Sequence, residues 1–286
     1  MKKVIAAIVF SILFSGVVLA QKAAEVQTVV AAEEAFNKAV AKKGIKEGFL
    51  SAIDDDAIVF RPNAVSAKEF YTRIDKQPGN LSWVPKFGRI SANGDLAFTA
   101  GPYIYQNSAA DTDKVYGHYV SVWRTDANGK LKLLIDLGVQ HPEPEQPEII
   151  DLKDPTGKVL PPSKDPFLAK KLIMGTDDMF NHSLDISALA TYKEFFSPEA
   201  HYYFPGFEPL IGTDKIMKFI NNQAISISAK TSSVGRAASN DLAYSYGTAI
   251  IKKGGISSNY NYVRIWELDA SHKWNILLEV FSAVEK

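Results

Sequence analysis

The feature that most constrains this chain is that it carries the same order of segments twice. Asp56-Ala57-Ile58-Val59-Phe60-Arg61-Pro62 has a counterpart in Glu199-Ala200-His201-Tyr202-Tyr203-Phe204-Pro205. Gly88-Arg89 followed by Gly94-Asp95-Leu96-Ala97-Phe98 recurs as Gly235-Arg236 followed by Asn240-Asp241-Leu242-Ala243-Tyr244. Tyr119-Val120-Ser121-Val122-Trp123 returns as Tyr262-Val263-Arg264-Ile265-Trp266, and 130–136 returns as 273–279. The offset is 143 residues at three of these anchors and 146 or 147 in the middle block, which one small insertion and a matching deletion explain. Four matches in one order mark a duplicated domain.

A proline-rich stretch separates the copies. Seven of the 14 prolines fall between Pro142 and Pro166. Proline fixes φ and lacks a backbone donor, so the stretch is expected to be an extended linker, packed as an arm over one domain, rather than a helix or a central strand. The N-terminus reads as a secretory signal peptide: Lys2 and Lys3 precede the apolar run 4–19, and Val18-Leu19-Ala20 supplies the small residues a signal peptidase reads. The expected organisation is a signal peptide over 1–20, a first domain over 21–141, a linker over 142–164 and a second domain over 165–286. Such a leader predicts export to the periplasm or the cell exterior.

Composition narrows the function. The 32 basic and 32 acidic residues balance, and loss of Lys2 and Lys3 would leave a net charge of −2. That balance argues against nucleic acid as a partner. No cysteine is present, which excludes disulfides, thiol catalysis and thiolate metal sites. After the leader no stretch is long and apolar enough to span a membrane.

Within each copy the pattern predicts three helices and then strands. Val26, Val29, Val30, Ala32, Phe36 and Val40 have helical spacing over 24–42, with Gly44 positioned to end the helix. A short helix is expected near 46–53 and a strand at 57–61. Ser66-Ala67-Lys68-Glu69 reads as a capping box opening a third helix. Strand runs follow at 81–91, 96–105, 115–124 and 131–138, with Asn128-Gly129 as a hairpin turn between the last two. The second copy repeats the order: Asp165-Pro166 caps a helix reaching to about Phe180, further helices lie at 188–195 and from Thr213, and four strand runs follow. The expected fold class is α+β, two tandem cones in which helices pack on a curved, mostly antiparallel sheet.

The run Tyr116-Gly117-His118-Tyr119-Val120-Ser121-Val122-Trp123-Arg124, with Gly129-Lys130-Leu131 and Ile135-Asp136-Leu137-Gly138, resembles the DUF4440-type branch of the nuclear transport factor 2-like (SnoaL-like) superfamily. The resemblance covers nearly all of 24–141 and, more loosely, 165–286. It implies a cystatin-like cone with a ligand-sized cavity. It does not imply one chemistry, since the superfamily holds isomerases, dehydratases, cyclases, hydrolases and binding modules. The ketosteroid-isomerase branch carries an aspartate base before the proline of the Ala-x-Val-x-Asp-Pro segment. Here Arg61 and Phe204 stand at that place, and neither abstracts a proton.

Candidate site residues follow from strand placement. His118 and Asp136 lie on adjacent strands and are a candidate general-base dyad, with Asn261 and Glu279 at the matching places in the second copy. Trp83, Tyr103, Tyr105, Tyr119 and Trp123 are candidate ligand-lining aromatics of the first domain, and Tyr203, Tyr244, Tyr246, Tyr262 and Trp266 of the second. Core packing is the competing role for each. Arg61 is a candidate carboxylate contact or a salt-bridge partner. The five histidines show no metal-ligand spacing, and His141 with Glu143 and Glu145 lies in the linker, so no metal or other cofactor is expected. Three functions remain open: a binding protein for a small apolar or carboxylated ligand, a cofactor-independent lyase, isomerase or hydrolase using His118 and Asp136, and a structural pseudo-dimer of the two domains.

Overall fold

The computed structural model describes residues 23–108, 112–161 and 166–284; the expected leader and the Asp165 cap lie outside the described residues. The first domain opens with α1 (Gln27–Lys43), α2 (Ile45–Ala52), β1 (Ile53–Phe60), β2 (Ala64–Ser66) and α3 (Ala67–Arg73). Then come β3 (Asn80–Trp83), β4 (Phe87–Ile90), β5 (Leu96–Gln106), β6 (Val115–Thr125) and β7 (Leu131–His141). Local chemistry sets the boundaries. Gly44 at φ 87° donates its N–H to Val40 and ends α1, and the Ser66 hydroxyl accepts from the Glu69 N–H to start α3. The single run expected at 81–91 is two strands, because Pro85 has no N–H to give to the ladder.

The second domain repeats this with α4 (Pro166–Ile186), α5 (Ala188–Phe195), β9 (Phe196–Tyr203), β10 (Leu210–Ile211) and α6 (Thr213–Gln223). It closes with β11 (Ile225–Arg236), β12 (Leu242–Lys253), β13 (Ile256–Leu268) and β14 (Trp274–Ala283). Between the domains, among the described residues, lies the short strand β8 (Asp151–Lys153). The first sheet runs β2-β1-β7-β6-β5-β4-β8, with β3 also on β5, and the second runs β10-β9-β14-β13-β12-β11. Apart from the parallel pairs β1–β7, β9–β14 and β4–β8, neighbouring strands are antiparallel. Both domains are α+β cones in tandem, with the same strand order over their shared elements.

The proline-rich stretch is bound to the first domain. β8 occupies the proline-free part of it and extends the sheet edge beside β4. Val26 at the start of α1 has no side-chain cap of its own, and the Asp154 carboxylate accepts its N–H at 2.8 Å. Asn93 exchanges two hydrogen bonds with the Leu160 backbone.

Each sheet is apolar on both faces. One face packs under its own helices: Val29, Phe36, Phe49, Tyr71, Trp83, Tyr119 and Trp123 in the first domain, and Phe180, Tyr192, Tyr202, Tyr262, Trp266 and Phe281 in the second. The opposite faces share one buried cluster, in which Phe98, Val120, Val122 and Leu137 meet Val263, Ile265, Leu278 and Val280. Matching polar contacts flank it: the Ala92 N–H donates to Asp241 and the Ala238 N–H to Asp95, each at 2.7 Å. Leu278 is fully buried in this cluster. Leu278→Ala is expected to cost about 2–5 kcal/mol, and a urea midpoint shift confined to one domain's signal would contradict a shared core.

Candidate functional site

The first domain holds a cavity of about 950 Å³. Phe36 of α1 and Ile45 and Phe49 of α2 form one wall, and Leu81, Trp83, Tyr103, Tyr105 and Tyr119 on the strands face them. Phe36 meets Phe49 and Trp83 edge-on, each with ring centroids 4.8 Å apart, so these rings brace one another. The rim draws on His141 at the end of β7, on the linker through Pro142 and Glu143, and on the second domain through Pro205, Gly206, Ser282 and Ala283. The Gly206 N–H donates to the Gln140 carbonyl at 2.8 Å and ties that rim to β7.

Register explains which side chains reach the cavity. Ser121 on β6 pairs with Asp136 on β7, while His118 pairs with Val139. Side chains alternate along a strand, so Asp136 shares a face with Ser121 and Tyr119, and His118 points the other way. The expected His118–Asp136 dyad does not form. The His118 ring is buried between the sheets, with Nδ1 2.6 Å from His141 Nε2, Nε2 2.9 Å from Glu148 Oε2, and Tyr203 beside it. It anchors the linker.

Asp136 lies on the cavity wall, where burial pushes its pKa up to about 6 against the opposing pull of Arg61 and a 3.2 Å hydrogen bond from the Ser121 hydroxyl. Arg61 lines the cavity too, its Nη1 donating to its neighbour's carbonyl on Phe60 at 2.7 Å. Gln77 Oε1 is buried on the lining without a hydrogen-bond partner, and the buried Tyr119 and Tyr71 hydroxyls lie beside the Thr99 hydroxyl and the Arg61 guanidinium respectively. Burial pushes the Tyr103 phenol up to about 12, so it stays neutral. Among the described residues no cluster of histidine and acid side chains fits a metal ion.

Of the sequence candidates, Arg61, Trp83, Tyr103, Tyr105, Tyr119 and Asp136 are brought together here. Trp123 is not on the lining: its Nε1 donates to Glu33 at 2.9 Å. Glu33 is a residue that the sequence reading missed. It is fully buried on α1 and also accepts from Trp83 Nε1 and the Thr99 hydroxyl. Burial outweighs these bonds and pushes its pKa up to about 7. Its signal was an acid set among Val26, Val29, Val30, Phe36 and Val40 on an apolar helical stripe.

The second domain fills the equivalent space. Arg264 stands where the first domain has Ser121, Phe281 where it has Gly138, and Phe204 where it has Arg61. Arg264 is fully buried; it donates to Glu279 at 2.6 Å and to Asp177 and Asn181 at 2.9 and 2.7 Å. Its guanidinium also sits over the Phe180 and Tyr262 rings. Burial alone would lower its pKa, and the two carboxylates more than offset that. Phe204 and Phe281 close the mouth with Phe219 and Tyr260. The second-domain candidates are therefore packing residues. Tyr262 donates to Asp177, Trp266 to Ser245, and Tyr203, Tyr244 and Tyr246 pack between the sheets.

No protein-family model and no curated protein matches the sequence. Among solved structures, a ketosteroid isomerase-like protein from Erwinia carotovora atroseptica aligns at 10% identity over 43% of this chain and all of that one, with a TM-score of 0.37. A nuclear transport factor 2-like superfamily protein from Salmonella enterica serovar Typhimurium aligns at 15% identity over 42% of this chain and 93% of its own, with a TM-score of 0.35. An LEH-like epoxide hydrolase from M. tuberculosis aligns at 13% identity over 39% of this chain and 78% of its own, with a TM-score of 0.32. These are similarities of one domain each, and no activity follows from them.

Two predictions rest on the buried charges. Arg264→Ala leaves two buried carboxylates unpaired and is expected to cost about 3–5 kcal/mol; unfolding of the variant at the wild-type midpoint would contradict the network. Glu33 and Asp136 both hold their protons more tightly folded than unfolded, so their stability is fully present below the unfolded values and declines as pH rises, from 4.5 to about 7 for Glu33 and from 3.8 to about 6 for Asp136. The Glu33 share is on the order of 3 kcal/mol. Glu33→Gln is expected to flatten this slope in denaturant titrations across that range, and an unchanged slope would contradict a raised pKa.

Proposed function

We propose that this is an exported binding protein that takes a small organic molecule into the cavity of its first domain, while its second domain serves as the scaffold half of a built-in pseudo-dimer. The observation that carries the reading is the contrast between the copies. One scaffold occurs twice, and the second copy is packed with Arg264, Phe281 and Phe204. The first copy keeps Ser121, Gly138 and Arg61 and is hollow. Apolar walls with a few convergent polar groups suit a ligand of intermediate polarity. The second domain contributes rim residues, so the fusion supports the site as well as the core.

One observation favours a second reading. A cavity carboxylate held near pH 6 exchanges protons at neutral pH, as a general base must. In that reading Asp136 acts without His118.

The test is equilibrium binding of Nile red, a neutral fluorescent dye, to the full chain and to Gly138→Phe. Gly138 lies on the cavity wall with the Tyr103 ring 3.3 Å from where its Cβ would be, so a phenylalanine there intrudes on the cavity space. Wild type is expected to bind the dye in one saturable step, and Gly138→Phe to lose about tenfold or more in affinity while keeping its circular dichroism spectrum. Equal dye binding by a folded Gly138→Phe would refute the cavity as the site.

A further inference from the structure

Within that reading of the cavity, we infer that its ligand is an organic acid with a hydrogen-bond donor, a hydroxyl or an ammonium, close to its carboxylate; Arg61 takes the carboxylate and Asp136 takes the donor. The inference begins with what the two charged residues lack. Arg61 donates to the Phe60 carbonyl, lies over the Phe70 ring and has the Tyr71 hydroxyl beside it, but among the described residues no carboxylate lies within ion-pair distance of it. Arg89, Arg124 and Arg264 by contrast each hold at least two carboxylates. Asp136 receives one hydrogen bond, from Ser121 to Oδ2, which leaves Oδ1 available. A carboxylate can accept about four bonds, so its capacity is far from met. The two residues line one cavity and sense each other electrostatically, yet do not touch. A gap remains between a donor and an acceptor.

The second domain shows what satisfies the matching acid. Glu279, at the Asp136 position, is paired inside the protein with Arg264. In the first domain that arginine is Ser121, too short to do the same. The first domain thus carries the acid without the internal cation that pairs it in the second, which leaves Asp136 open to a donor from outside. At the mouth the change runs the other way: apolar Phe204 in the filled copy is cationic Arg61 in the hollow one, which suits an anion. Phe36, Phe49, Trp83 and Tyr103 surround the space left for the rest of the molecule, which gives the ligand a flat apolar body.

Naphthyl compounds provide fluorescent probes of this shape. Binding to the full chain would be measured for 1-naphthaleneacetate, hydroxy(1-naphthyl)acetate, amino(1-naphthyl)acetate and 1-naphthalenemethanol, with Nile red alongside. At least one donor-bearing acid is expected to bind about tenfold tighter than both the plain acid and the alcohol. The preferred member tells hydroxyl from ammonium. Arg61→Gln is expected to erase the advantage of the acids over the alcohol, and Asp136→Asn the advantage of donor-bearing acids over the plain acid. Both variants should still bind Nile red, which shows that they fold and keep the cavity. Equal binding of all four probes, no binding of any, or unchanged preferences in the two variants would overturn the inference. If Nile red is lost in Gly138→Phe under those outcomes, the cavity stands and only the ligand class falls. If Nile red is indifferent to Gly138→Phe, the cavity reading falls with it.

Discussion

The apolar cluster between the two sheets is the constraint on which the other features depend. A cone domain buries one face of its sheet under helices, and here the other face is equally apolar, with Val120 and Val122 on one side and Val263, Ile265 and Val280 on the other. Exposed, that surface would carry a large hydrophobic penalty and invite association. Two copies in one chain solve this by covering each other, and tethering removes the concentration dependence that separate domains would face. The paired Ala92–Asp241 and Ala238–Asp95 contacts are equivalent in the two copies, the pattern of a two-fold interface.

With the sheets locked together, the interiors of the cones are free to diverge. The second domain uses its interior for stability: Arg264, Asp177 and Glu279 form a buried charge network in which each charge needs the others. The first uses a lighter version, in which Glu33 collects the indole N–H groups of Trp83 and Trp123 and the Thr99 hydroxyl with no cation at all. Burial raises the pKa of the Glu33 carboxyl to about 7, so it is stabilised in the protonated form without a paired cation. Stability and cavity are thus divided between two copies of one scaffold.

The elements were legible because their signals are local. Gly44, the Ser66 cap and the Asn128-Gly129 turn act within a few residues, and the α1 stripe needs only its own spacing. The faces of the strands were not legible in the same way. In β6 both faces are buried, one against helices and one against the partner sheet, so apolar alternation gave no sign of which side lines the cavity. His118 consequently looked as well placed as Tyr119, and Trp123 looked like lining when it is a donor to Glu33. The second-domain aromatics misled for the same reason.

The amino-acid sequence by itself determined the duplication, the order of elements, the α+β class and the proline-rich connection, since each rests on short-range pattern or on repetition of that pattern. It also displayed the exchanges of Arg61 for Phe204, Ser121 for Arg264 and Gly138 for Phe281. Only the tertiary structure decided that Arg61 and Gly138 line one cavity, that Ser121 sits behind its wall bonded to Asp136, and that His118 faces away from it. Whether a cone is hollow depends on the summed volume of side chains drawn from strands and helices far apart in the chain. That sum exists only once register and packing have brought them together.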